Sequence, residues 1–217
     1  MSAQNTLRIS EIFFSLQGET RTVGLPTVFV RLTGCPLRCT YCDTEYAFEG
    51  GQLMTLDAVL EAVAAYKPAY VTVTGGEPLA QPNALPLMTR LCEAGYEVSL
   101  ETGGAMPVEH VDGRVTKVLD LKTPASGELS KNRYENLAFL NRKDQIKFVL
   151  CGREDYEWAR MQIDQYQLKN KVDEILFSHS FTQLPYRDLA DWIIADNLPV
   201  RMQLQLHKLI WGEERGR

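Results

Sequence analysis

The feature that most constrains this chain is an alternation of two patterns along its whole length. Short runs rich in Val, Ile, Leu, Phe and Thr predict strands at Leu7–Phe14, Thr27–Leu32, Tyr70–Thr74, Glu97–Glu101, Lys117–Leu121, Gln145–Leu150, Glu174–Ser178 and Val200–Leu206. Between them lie helical patterns. Thr55 is placed as an N-cap for LDAVLEAVAAY, whose Leu56, Val59, Leu60 and Val63 recur at helical spacing, with Pro68 beyond its end. Further helices are expected at Asn83–Ala94, with Gly95 as its stop, and at Arg133–Leu140, Glu154–Tyr166 and Tyr186–Asp196. Strand followed by helix, repeated, is the pattern of a parallel sheet with crossover helices. Seven or fewer parallel strands in 217 residues fall short of a complete eight-unit barrel, which takes about 250 residues. The expected fold is α/β, an incomplete (partial) TIM-like barrel of parallel strands left open.

No repeat, low-complexity tract or long Pro/Gly/Ser linker interrupts the alternation, so residues 1–217 are read as a single domain. At this length one core can bury roughly 70% of the surface of the unfolded chain without help from disulfides. The 23 Lys and Arg against 28 Asp and Glu give a net charge of −5, which argues against the basic surface a nucleic-acid ligand requires. No run approaches the roughly 18 apolar residues of a membrane span, and the opening MSAQNTLRISE lacks the pattern of a leader. A cytoplasmic protein that binds neither nucleic acid nor membrane is expected.

Five cysteines, at 35, 39, 42, 92 and 151, are too unevenly placed for a disulfide framework. Cys92 falls on the apolar stripe of a predicted helix and Cys151 closes a strand, so both read as ordinary thiols. The other three share one loop, Gly34-Cys35-Pro36-Leu37-Arg38-Cys39-Thr40-Tyr41-Cys42-Asp43-Thr44, spaced C-x3-C-x2-C directly after a strand. Structural zinc would want a fourth ligand, which no second pair or nearby histidine supplies. Three thiolates can instead hold three irons of a [4Fe–4S] cluster and leave the fourth open to a ligand, where electron carriers use four cysteines.

That loop resembles the signature of the radical S-adenosylmethionine superfamily, whose open iron chelates the amino and carboxylate groups of that cofactor. Thr74-Gly75-Gly76-Glu77-Pro78, after the strand at Tyr70–Thr74, resembles the superfamily's GGEP segment. The cysteine loop, Thr74–Glu77, Glu101–Gly103, Asp120–Lys122, Ser178 and Gln205–His207 all fall at the C-terminal ends of predicted strands, the rim where parallel barrels build active sites.

The opening Ile12-Phe13-Phe14-Ser15-Leu16-Gln17-Gly18-Glu19-Thr20, the triplet Cys42-Asp43-Thr44 and the late Gln205-Leu206-His207-Lys208 resemble one branch of that superfamily over nearly the whole chain. The branch makes the deazapurine core of queuosine precursors. The resemblance implies a ring contraction of 6-carboxy-5,6,7,8-tetrahydropterin to 7-carboxy-7-deazaguanine with loss of ammonia, begun by a 5′-deoxyadenosyl radical. It implies cluster ligation by Cys35, Cys39 and Cys42, and S-adenosylmethionine contacts from Tyr41, Asp43, Gly76, Glu77, Glu101, Asp120, Lys122 and Ser178. Leu16, Gln17, Gly18, Glu19, Thr74, Gln205 and His207 are expected to read the pterin, Arg31 to fork onto its carboxylate, and Thr44 to hold a Mg2+ ion. A homodimer and a flavodoxin- or ferredoxin-type electron donor are implied as partners.

Three departures qualify the match. Asp120-Leu121-Lys122 stands where many members have Ser-Pro-Lys, ten residues follow His207 where some members bring the terminal carboxylate into the pocket, and the cluster loop has its compact form. Two rivals make different demands. A glycyl-radical-activating enzyme would share the cysteines without needing the LQGE or Q-x-HK segments. A non-catalytic iron–sulfur or zinc module would give no reason for GGEP on the same rim.

Overall fold

The computed structural model describes residues 5–217; the reading of the opening segment as leaderless lies partly outside them, at residues 1–4. A nine-stranded sheet runs in the order β3-β1-β2-β4-β5-β6-β7-β8-β9. Its strands are β1 (Thr6–Leu16), β2 (Pro26–Leu32), β3 (Gln52–Thr55), β4 (Tyr70–Gly75), β5 (Glu97–Thr102), β6 (Thr116–Asp120), β7 (Gln145–Leu150), β8 (Glu174–His179) and β9 (Arg201–Gln203). From β2 to β9 every neighbouring pair is parallel, which makes seven parallel strands. The sheet ends at β3 and β9 without pairing them, so the barrel is partial and open. β1 departs from the parallel reading, pairing antiparallel with both β2 and β3.

Helices α1 (Leu56–Ala64), α2 (Ala84–Glu93), α3 (Arg153–Gln165), α4 (Tyr186–Ala195) and α5 (Leu206–Trp211) follow strands. Thr55 caps α1 as expected, its hydroxyl accepting from Ala58 N at 3.2 Å, and Gly95 after α2 takes φ 89°, the left-handed value that stops a helix. Arg133–Leu140 does not form an α-helix. A 3-10 segment (Tyr134–Phe139) stands there, because the buried Asn136 side chain is stapled to the backbone at Gly104, Met106 and Val108. The expected strand Val200–Leu206 stops at Gln203, and Leu206 instead begins α5 with its N–H donated to Gly18 O.

Period-two alternation sorts each parallel strand into two faces. Val28, Val30 and Leu32 on β2, Val71 and Val73 on β4, Ile146 and Phe148 on β7, and Phe177 on β8 are buried in one core with Val59, Leu87, Leu91, Tyr156 and Leu189 of the helices. Lys117 on β6 is the charged exception, and it meets Asp144 at 3.0 Å with both side chains buried. The opposite face is polar. Arg31, Thr74, Glu101, Asp120, Lys147 and Ser178 all line one cavity of about 650 Å³ inside the open barrel, a volume within the range of roughly 300–1,000 Å³ typical of small-molecule sites.

Candidate active site

The cysteine loop hangs from the end of β2 and is tied down by backbone. Gly34 N donates to Ala47 O, Glu77 N to Gly34 O, and Thr40 N to Ser126 O. Arg38 donates to the carbonyls of Cys35 and Leu37 while lying 4.2 Å over the Phe48 ring. Cys35, Cys39 and Cys42 are each half-buried and line the same cavity. Burial pushes their thiols up, Cys39 to about 11, against the nearby Lys122 ammonium, which pulls down. Among the described residues no three acidic, His or Cys side chains already form a finished metal-ligand group.

Gly75 and Gly76 let the β4 end press against this loop. A Cβ on Gly76 would stand 2.4 Å from Gly34 O and 2.7 Å from the Cys35 Cβ. Glu77, expected on the cofactor, lies beneath the cavity rather than in it. It is fully buried, accepting from Leu79 N, Gly103 N and the Thr102 hydroxyl. Its carboxylate ties the GGEP turn to the end of β5, which is a positioning task.

Four polar atoms of the cavity-lining residues are buried without a hydrogen-bond partner: Tyr41 Oη, Asp120 Oδ1, Ser178 Oγ and Ser180 Oγ. Buried polar atoms of this kind want a ligand or water. The other Asp120 oxygen accepts from Lys122 Nζ at 2.7 Å, and that ammonium stands 5.8 Å from the Tyr41 ring centroid. This donor set, three thiols beside a fixed cation and unsatisfied polar atoms, fits a thiolate-bound cluster carrying an amino-acid-like ligand.

A second group of residues closes the same cavity from the two ends of the chain. Glu19 Oε2 pairs with Lys147 Nζ at 2.5 Å, its other oxygen accepts from Gln205 Nε2 at 3.0 Å, and His207 Nε2 lies 3.9 Å away. Burial raises the Glu19 carboxyl, but the charge of Lys147 and then that of His207 outweigh it and leave the group below its ordinary range. Burial pushes the His207 imidazole down against the pull of Glu19. Gly18 is required here, since a Cβ would meet His207 Nδ1 at 2.3 Å.

Gln17 does not offer its amide to a ligand. Its Nε2 donates to Thr72 and Glu101, and its Oε1 accepts from Glu19 N. Glu101 also accepts from Thr74; burial and then the Glu19 charge push its carboxyl up. Asp43 lines the cavity beside the cysteines with its carboxylate already engaged. It accepts from Lys208, Gln205 and Thr44, which together outweigh its burial and hold its carboxyl low. Asp43 thereby latches the cysteine loop to the C-terminal segment.

Arg31 faces the cavity with its Nε donated to Glu11 at 2.7 Å; Tyr46 also donates to that carboxylate. Among the described residues no other group takes a hydrogen bond from the guanidinium. Leu16 and Gly18 line the cavity too, as do Gly212–Arg217, with Arg215 stacked 4.2 Å over the Tyr46 ring. The ten residues after His207 therefore do not keep this segment from the site. Lys147 is the residue that sequence reading missed. Its signal was a lysine at an inward position of the apolar strand QIKFVL, in phase with Gln145 and Val149.

A barrel open on one side, with three cysteines in C-x3-C-x2-C spacing on the rim of its polar face, defines a radical S-adenosylmethionine enzyme. Residues 29–113 match the Radical SAM superfamily model. The 7-carboxy-7-deazaguanine synthase of Koribacter versatilis is 45% identical, with 96% of this chain and 98% of that protein covered. That of Chlorobaculum tepidum is also 45% identical, over 99% and 98%. The chain belongs to the 7-carboxy-7-deazaguanine synthase family. The crystal structure of QueE from Escherichia coli shares the fold at a TM-score of 0.77 and 24% identity, covering 95% of this chain and 100% of that one. Streptococcus suis SuiB bound to S-adenosylmethionine shares it at a TM-score of 0.55 and 18% identity, over 79% and 44%. Members of this class work with a [4Fe–4S] cluster and S-adenosylmethionine. No helix among the described residues is long and apolar enough to cross a membrane.

Proposed function

We propose that the chain contracts 6-carboxy-5,6,7,8-tetrahydropterin to 7-carboxy-7-deazaguanine with release of ammonia, on the route to queuosine-type deazapurines. One observation carries this reading: Leu16–Glu19, Arg31, Thr74, Gln205 and His207 line the same cavity as the three cysteines. A cluster and a heterocycle bound there would face each other within one enclosure, and close positioning is most of what the protein must supply.

Cys35, Cys39 and Cys42 would hold the cluster. Tyr41, Gly76, Asp120, Lys122 and Ser178 would receive S-adenosylmethionine, the orphaned Tyr41, Asp120 and Ser178 oxygens taking its polar groups. Glu77 acts beneath that site, and Glu101 and Asp43 serve the substrate side, Glu101 through Gln17 and Thr74. When bound, the reduced cluster and its cofactor supply one-electron chemistry that removes a hydrogen atom from a carbon of the substrate. The chain's own residues hold that carbon in place. Glu19 accepts from the amino edge of the pterin, with Gln205 and His207 beside it. Arg31, anchored by Glu11 through Nε, presents its remaining donors to the substrate carboxylate. Gly212–Arg217 cover the mouth and limit water.

Thr44 donates its hydroxyl proton to Asp43, which leaves the oxygen lone pairs for a hard cation; Mg2+ sharing substrate oxygens suits such sparse protein ligation. A flavodoxin- or ferredoxin-type donor, a homodimer, a single working domain and a reducing cytoplasmic setting belong to the same proposal and rest on the family resemblance.

The test is anaerobic turnover of the reconstituted, reduced protein with S-adenosylmethionine, Mg2+ and the pterin, followed by mass spectrometry. Product without matching loss of the cofactor supports the reading. Deoxyadenosine without product overturns the substrate and favours a protein-activating enzyme, while absence of any cofactor cleavage favours a non-catalytic module.

A further inference from the structure

The chain holds two strand lysines in ion pairs, Lys117 buried and Lys147 partly buried, and the two pairs differ in where they face. Lys117 on β6 joins the helix layer and meets Asp144, which also accepts from Lys117 N and Asn141 N. That pair is framework. Lys147 on β7 faces the cavity instead, and its partner Glu19 lies 128 residues away in sequence. An ion pair largely withdrawn from water, as this one is, is a poor way to gain stability, because well-packed apolar side chains serve as well or better. Its retention at the substrate end of the cavity asks for another explanation.

The polar and charged groups around Glu19 come from every element packed on it. Lys147 comes from β7, Gln205 and His207 from the C-terminal segment, Asp43 from the cysteine loop, Glu101 from β5, and Gln17 from its own segment. Among the described residues Lys147 is the one ammonium or guanidinium in contact with this carboxylate. His207 stands farther off, at 3.9 Å, and burial favours its neutral form. Asp120 and Glu101 also bear on the lysine, and with Glu19 they outweigh its burial and hold it charged.

We propose that Lys147 is a positioning residue for substrate recognition: it holds Glu19 as an aimed, ionised acceptor for the amino edge of a guanidine-like heterocycle and so sets the acid limit of substrate binding. This rests on the pterin reading of the site. The sign follows from the forces on Glu19. With the lysine charge removed, burial dominates and the carboxyl rises; once protonated, it no longer accepts both amino donors. Affinity then falls as pH falls through the raised value, and each unit of rise above the working pH costs about tenfold in the ionised fraction.

The test is calorimetric titration of 6-carboxytetrahydropterin into cluster-loaded protein between about pH 5 and 8, where a perturbed carboxylate titrates. Wild type, K147M, K147R, E19Q and the double variant E19Q/K147M are compared, with iron content and S-adenosylmethionine affinity measured alongside. In K147M, pterin affinity should fall by roughly tenfold or more at the acid end and recover toward the alkaline end, with iron and cofactor binding unchanged. K147R should restore most of it. In the E19Q background, K147M should cost nothing further. A K147M curve that overlays wild type at every pH overturns the proposal, as does an equal loss in the presence and absence of Glu19. Should K147M not fold, E19Q/K147M against E19Q, with K147R against wild type, decides by the same comparison. Wild type that binds no pterin overturns the functional reading and this inference together; wild type that binds while K147M matches it overturns this inference alone.

Discussion

Gly76→Ala is the smallest change that should separate the two halves of the cavity. The glycine is not in the left-handed region, so alanine carries no backbone strain, and the cost is purely steric. The added methyl would stand 2.4 Å from Gly34 O and 2.7 Å from the Cys35 Cβ, while ordinary contact begins at 3.4 Å. One neighbour is backbone and the other is fixed by it, so the loop or the β4 end must shift by about 1 Å, and overpacking of this kind costs about 1–3 kcal/mol. For a chain of this size that lowers Tm by roughly 2–12 °C. Turnover should fall much further, since a misplacement of 1 Å at a reacting centre can cost about 100-fold. Gly113→Ala is the control, because nothing lies within 4 Å of its added Cβ and such surface changes stay within about 0.5 kcal/mol. Scanning calorimetry, iron analysis and anaerobic product formation on both variants make the assay. Wild-type turnover and Tm in Gly76→Ala would refute the argument that this glycine exists for close approach.

Asp144→Ala strands the buried Lys117 ammonium and should cost roughly 3–5 kcal/mol, read by urea unfolding of the loaded protein, with S-adenosylmethionine affinity intact in the folded fraction. Arg31→Ala should leave iron content unchanged while weakening pterin binding by roughly 2–5 kcal/mol; calorimetry showing unchanged affinity would remove its assigned role. Asp43→Asn loosens the latch to Gln205 and Lys208, so backbone amides of Leu206–Trp211 should exchange with deuterium faster, and exchange rates equal to wild type would show that the latch holds nothing.

The parallel core was legible because its strands are apolar runs bounded by turn residues. Gln145–Leu150 was placed to the residue, and Tyr70–Thr74 to within one. β3 was not legible: QLMT is short and largely exposed, held by pairing with the edge of β1 and by Met54 alone against the core. Neither was the break at Gln203, since Leu204–Leu206 continue a strand-like pattern and the chain turns on bonds to a distant segment, Gln203 Nε2 and Leu206 N both donating to Gly18 O. In the site, motif spacing located the cysteine loop and its glycines. It could not tell which acidic side chains face inward with an oxygen to spare, as Asp120 does beside its pairing with Lys122, from those consumed by neighbours, as Glu77 and Asp43 are. That distinction depends on donors such as Gly103 N and Lys208 Nζ, which the fold brings from distant segments.

The substrate half of the cavity is stitched from both extremities: Gly18 O accepts from Gln203 Nε2, 185 residues later, and Glu19 takes its amide partner from Gln205. Those closing contacts reach across almost the whole described sequence, whereas the cysteine loop is tied down by nearer segments, Gly34 N to Ala47 O and Thr40 N to Ser126 O. The two ends of the cavity can therefore loosen independently: fraying of the Gln203–Gln205 stretch would open the substrate end while the backbone ties of the cysteine loop stay made.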